Sequence, residues 1–148
     1  MLYLENAAHE IERFGDQLLK LLAEAPDEVL WQKSTLPNSI GVIARHLAGN
    51  LNHYLGAGVL QNGYQRQREN EFHGPPLPRE VLIADLETAI AVARTAIGAI
   101  DGSRAQAPHT TPCGEHYDSL AYLVTRLTTH FAYHTGEAYY ASKLLAKS

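Results

Sequence analysis

His130 and His134 stand four residues apart. On a helix that spacing puts both imidazoles on one face, one turn apart, where they can share a metal ion. The pair also falls on the stripe of Leu123, Leu127, Phe131 and Ala138, the side such a helix turns to the core. With eight histidines in the chain, some pair at this spacing arises by chance. The apolar stripe therefore carries the argument: two imidazoles buried without partners cost roughly 1–3 kcal/mol each, and a shared ion turns that cost into a gain. Two ligands are too few, because a catalytic centre of the zinc type takes three protein ligands and keeps a position open. The candidates for the third are His46 and His53, seven residues apart and so on nearly the same face of their own segment. Choosing between them requires the helices and their directions.

Four segments repeat apolar residues at steps of three and four, and none alternates like a strand. The first spans about Leu2 to Ala25 with Ile11, Phe14, Leu18, Leu21 and Leu22, and Pro26 stops it. The stretch Asp27–Pro37 holds Trp31 and has room for one further turn. The second segment starts after the capping cluster Pro37-Asn38-Ser39 and runs to about Leu60 with Ile43, Leu47, Leu51, Tyr54 and Leu55. The third follows Pro78 with Leu82, Leu86, Ile90, Ala93, Ile97 and Ile100, and Asp101-Gly102 ends it. The fourth begins at Asp118-Ser119 and carries Leu120, Leu123, Leu127, Phe131, His134, Ala138, Ala141 and Leu145. Four amphipathic helices predict an all-α four-helix bundle, one domain over residues 1–148.

Residues 61–78 form a Gly- and Pro-rich connection of 18 residues, longer than the roughly 2–8 usual between bundle helices. Such a link can span a helix of about 30 Å as an extended crossover. It predicts an up-down-down-up order with helices two and three parallel and helices two and four antiparallel. Depth then separates the histidines. At 1.5 Å per residue, His130 and His134 sit about 18 and 24 Å along helix four. In an antiparallel bundle roughly 33 Å tall, His46 lies about 23 Å up, level with the pair, and His53 about 12 Å up. The reading takes His46 as the third ligand and leaves His53 as a buried polar residue.

These residues resemble a family. The run Ser39-Ile40-Gly41-Val42-Ile43-Ala44-Arg45-His46-Leu47-Ala48-Gly49-Asn50, with a late H-x-x-x-H-x-G at His130–Gly136, resembles the DinB-like family of four-helix-bundle metalloenzymes. Arg66–Phe72 resembles a segment that one subgroup carries after helix two. The resemblance covers essentially the whole chain. It implies the up-down-down-up bundle and a divalent ion, nickel or zinc, on His46, His130 and His134. Relatives include transferases that use a thiol cofactor and an isomerase, so it also implies a low-molecular-weight thiol and a small-molecule substrate. The family usually has glutamine after the motif glycine, whereas this chain has Glu137. A carboxylate there could act as a base or reach the metal through water, which would favour a metal-dependent hydrolase over a transferase. The alternative to an enzyme is a non-catalytic metal- or ligand-binding dimer of a stress response, with His53 or Glu137 closing the coordination sphere.

The remaining polar residues read more plainly. Glu69 and Glu71 belong to a run of mixed charge that reads as solvated, unless the connection folds over the metal and supplies Arg68 or Glu69. His9 reads as surface, and His73, His109 and His116 as exposed loop residues. Cys113 reads as inert, with only His116 close in sequence to serve as a base. Twelve basic and sixteen acidic residues give a net charge of −4, no footprint for nucleic acid or an anionic membrane. A single cysteine excludes a disulfide framework. No apolar run is long enough to span a bilayer and the N-terminus lacks a secretory pattern, so a cytoplasmic protein is expected. A homodimer is expected too. Gly41, Gly49, Gly56 and Gly58 leave helix two small and flat, and Tyr122, Val124, Tyr139, Tyr140 and Leu144 fall beyond the stripe of helix four.

Overall fold

In the computed structural model, which describes residues 2–146, helix α1 (Leu2–Glu24) ends just before Pro26. The residue ahead of a proline is pushed out of helical geometry, and the next turn, α2 (Asp27–Leu30), is a separate one. Helix α3 (Ile40–Leu51) starts at Ser39, whose Oγ accepts the Val42 N–H at 3.2 Å. It continues as a π-helical segment, Asn52–Ala57, with the Gly58 N–H donating to the His53 carbonyl at 3.1 Å. Across the long connection lies a short helix, α4 (Arg68–His73). Helix α5 (Arg79–Gly98) follows Pro78, and Asp101 then caps the short α6 (Gly102–Gln106). Helix α7 (Leu120–Ala146) begins after Ser119, whose Oγ accepts the Tyr122 N–H at 3.1 Å.

Contacts between the long helices give their directions. Asn38 meets Glu137 and His46 meets His130, so α3 and α7 are antiparallel. Glu12 pairs with Arg94, and Arg79 reaches the Leu22 carbonyl, so α1 and α5 are antiparallel as well. A Cβ on Gly15 would come near Phe131, while Leu21 and Glu24 share a groove with Tyr139 and Lys143, so α1 and α7 run the same way. The bundle is therefore up-down-down-up, and residues 61–78 are the crossover. Leu18, Leu22, Leu47, Leu51, Leu86 and Phe131 are fully buried where the four helices meet.

Four expectations need correction. On α1 the buried line is Leu4, Ile11, Gly15, Leu18 and Leu22, and Phe14 and Leu21 are only partly covered. Gly15 draws α5 close, because a Cβ there would overlap the Ile90 side chain, and that approach turns the face away from Phe14. Val124 is core, not surplus surface. The 103–117 loop contains a two-residue antiparallel pair, β1 (His109–Thr110) with β2 (His116–Tyr117), too short to leave an alternating pattern. The glycines of helix two face inward to their own chain rather than forming a flat seam. The Trp31 ring lies against Gly41, the Glu71 carboxylate against Gly49, and the Asn62 side chain against Gly56.

Candidate metal centre

The antiparallel pairing of α3 with α7 brings His46, His130 and His134 to one level. Ring centroids lie 5.0 Å apart for His46 and His130, 5.1 Å for His46 and His134, and 4.6 Å for His130 and His134. One ring nitrogen from each falls within 4.8 Å of the others. His46 is buried, and the α7 pair is half-buried beneath the crossover. His53 is not part of this group. It belongs to the π-helical segment, and its Nε2 lies 3.0 Å from Cys113 Sγ.

Two carboxylates set which nitrogens face inward. Glu71 Oε1 lies 3.1 Å from His46 Nδ1, and Glu137 Oε1 lies 2.7 Å from His134 Nδ1. A carboxylate holds a proton on the ring nitrogen it touches and leaves the lone pair on the other. His46 and His134 therefore offer Nε2 to the shared space. His46 Nε2 lies 3.1 Å from His130 Nε2, so without an ion His130 must hold a proton between them. Its other nitrogen, Nδ1, is then a buried acceptor with no partner. Burial, followed by the neighbouring His134 and His46, pushes the His130 pKa down to about 4. The ring is neutral at physiological pH, which leaves it one nitrogen lone pair to offer. Three imidazoles, two of them backed by carboxylates, are a donor set suited to a divalent ion.

The crossover supplies the layer behind His46. Burial pushes the Glu71 carboxyl up, but hydrogen bonds from His46 and Arg66 outweigh it and hold the group below its ordinary value. Arg66 donates through Nε to Oε2 and through Nη2 to Oε1, both at 2.9 Å, a two-point clamp. Gly49 makes the approach possible, since a Cβ there would overlap the carboxylate. Arg45 ties the crossover down: it donates to the carbonyls of Glu71 at 2.9 Å, Gly74 at 3.0 Å and Pro75 at 2.7 Å. Its guanidinium stands 4.8 Å from the centre of the Trp31 ring, which rests on Gly41.

The sequence of residues 1–148 matches a family model described as "Protein of unknown function (DUF1572)". The chain belongs to the DUF1572 family. No curated protein matches the sequence. Among solved structures, the mycothiol-dependent maleylpyruvate isomerase superimposes with a TM-score of 0.68 at 15% identity, over 89% of this chain and 59% of that one. A histidine-to-alanine mutant of the same isomerase superimposes with a TM-score of 0.68 at 13% identity and the same coverage. At that identity the likeness shows a shared fold. The DUF1572 chain spans less than two thirds of the isomerase's length.

In this DUF1572 chain the crossover supplies residues other than those the sequence singled out. Arg68 and Glu69 are exposed, with Arg68 over the Phe72 ring and Glu69 3.8 Å from His73. Arg66 and Glu71 are the pair turned inward, with side chains 9% and 6% exposed. The signal for them lay on α3, where Gly49 stands three residues after His46 and marks a close approach of something to that face. Of the other histidines, His9, His73 and His116 are exposed as expected, while His109 is half-buried on β1. No helix among the described residues is long and apolar enough to cross a membrane.

Proposed function

We propose that this protein is a DinB-like metalloenzyme in which His46, His130 and His134 hold one divalent ion, nickel or zinc, and which transfers or rearranges a small-molecule substrate with the help of a low-molecular-weight thiol. The observation that carries the reading is the convergence of three imidazoles with carboxylates on the outer nitrogens of two of them. When bound, the ion supplies Lewis acidity and lowers the pKa of a thiol or water that reaches it. The chain's part is to keep the ligands oriented. Glu71 and Glu137 do this from outside, and Phe72, its ring 4.7 Å from His46, shields one flank. Thiol use is taken over from the isomerase of the same fold, which is mycothiol-dependent by name; its substrate is not.

Two features bear on the alternatives. The Glu137 carboxylate is engaged on both oxygens, by His134 Nδ1 at 2.7 Å and by the Asn38 side-chain amide at 3.3 Å. Both bonds suit a residue that positions His134 better than a base that collects a proton from water, which favours transfer over hydrolysis. Of the two residues that could close the coordination sphere in a non-catalytic binding protein, His53 sits on Cys113 rather than beside the three rings, and Glu137 is held on the outer nitrogen of His134. The reading is tested with protein refilled with cobalt(II). A thiol such as cysteine or glutathione should produce thiolate-to-cobalt charge-transfer absorption that saturates at one equivalent, whereas an unchanged spectrum would exclude a thiol at the metal.

A single functional unit over residues 1–148, in the cytoplasm, is part of the proposal: one unpaired thiol suits a reducing compartment. A homodimer is part of it too. The dimer now rests on α7 alone, where Tyr122, Tyr133, Tyr139 and Tyr140 are each at least half exposed. A patch of that kind commonly marks an interface. Sedimentation at micromolar concentration should give twice 16.3 kDa, and a clean monomer mass would end the dimer reading.

A further inference from the structure

Cys113 has a base that its sequence neighbourhood does not reveal. The thiol lies 3.0 Å from Nε2 of His53, 60 positions earlier, and 3.5 Å from Glu115 Oε1. His53 is buried on the π-helical segment, while Cys113 is exposed. Both border a cavity of about 440 Å³ whose wall includes Tyr64, Arg66 and Arg68. Tyr54 donates to Glu115 Oε1 at 2.8 Å and holds the loop of Cys113 against the π-helical segment, while Tyr117, within the loop, donates to Glu115 Oε2 at 3.3 Å. A buried base behind an accessible thiol, opening on a cavity large enough for a small molecule, is the arrangement of a nucleophilic thiol rather than of a packing residue.

We propose that Cys113 and His53 form a thiol-exchange site, separate from the three histidines, that takes a low-molecular-weight disulfide bearing carboxylates. His53 Nε2 accepts the Cys113 proton as the sulfur attacks one sulfur of the reagent. The reagent's S–S bond breaks, a Cys113–reagent disulfide forms, and the departing thiolate takes the proton back from His53. The reagent is the oxidant: half of it leaves as thiol, and Cys113 is the group oxidised. Arg68, exposed on the cavity wall, provides a cation for the reagent's carboxylates. Because this is the chain's only cysteine, no second thiol in the same chain can resolve the cap. A second low-molecular-weight thiol must remove it, so the capped fraction follows the disulfide-to-thiol ratio of the surroundings. Burial, then Arg66, lowers the His53 pKa, a shift towards the neutral ring that can accept the proton.

The proposal does not depend on a metal at the three histidines, and the test keeps the two apart. Native protein is exposed to oxidised glutathione at pH 7, with and without chelator, and followed by intact mass. One adduct per chain is expected on the wild type and none on Cys113→Ser. An ordinary thiol is only a few per cent ionised at pH 7, so an assisting base should speed capping about tenfold over the urea-unfolded chain and over N-acetylcysteine. His53→Gln should remove that advantage, and Arg68→Gln should narrow the preference for oxidised glutathione over hydroxyethyl disulfide. If His53→Gln proves unfolded by circular dichroism, the comparison of native chain with N-acetylcysteine decides alone. A native rate no faster than N-acetylcysteine, a folded His53→Gln variant as fast as the wild type, or a rate abolished by chelator would each overturn the proposal.

Discussion

Replacing His134 or His46 with alanine should strip the protein of its divalent ion, while His53→Ala should leave the metal content near one per chain. The three rings that meet are His46, His130 and His134, and removing one leaves two ligands. Two imidazoles do not hold zinc or nickel tightly against solvent, so the loss should exceed the roughly 10–100-fold that follows from damage to an outer partner. His53 is the informative control. It lies on the same helix at heptad spacing, yet its ring is engaged with Cys113. Metal analysis of protein purified without a histidine tag reads both outcomes. Loss of metal from His53→Ala with retention in His46→Ala would overthrow the site.

Glu71→Ala should damage the protein twice over. Arg66 would keep its charge in a nearly buried place with no carboxylate to meet it, and His46 Nδ1 would lose its acceptor. Breaking a buried ion pair by removing one partner costs about 3–5 kcal/mol, because the remaining charge stays desolvated. Loss of the outer carboxylate should also weaken metal binding about 10–100-fold. Urea unfolding and metal titration measure the two effects separately. The double variant Arg66→Met with Glu71→Leu separates them further: stability should largely return, since no unpaired charge remains, but metal affinity should not. Gly49→Ala tests the same contact from the other side. Its methyl group would occupy the place of the carboxylate, so metal affinity should fall even though alanine is the better helix former. Wild-type stability and wild-type affinity in Glu71→Ala would show that the carboxylate supports neither.

The α7 histidines were legible because helical periodicity is local. Once residues 120–146 form a helix, His130 and His134 must share a face, whatever surrounds them. Apolar spacing likewise predicted the four long helices, because each needs a buried stripe to be stable in water. The choice of His46 over His53 was less direct. It rested on the length of the 61–78 connection, which permits a crossover and so sets the directions of α3 and α7.

The crossover itself was not legible. Arg66, Arg68, Glu69 and Glu71 are alike in composition, and nothing in a mixed-charge run says which two side chains turn inward. Tertiary structure decides it. Gly49 leaves a space on α3, Arg45 draws the chain over that space by three backbone carbonyls, and the charge entering it must arrive with a partner. Cys113 shows the same limit. Its nearest histidine in sequence is His116, which is exposed, while the one that reaches its sulfur comes from another helix 60 residues away. Spacing along the chain thus determined the helices and the pairing of His130 with His134, because both follow from the repeat of the backbone. The partners of His46, His134 and Cys113 were decided only on folding, when packing brought side chains distant in sequence, or on the next turn of a helix, within reach of each.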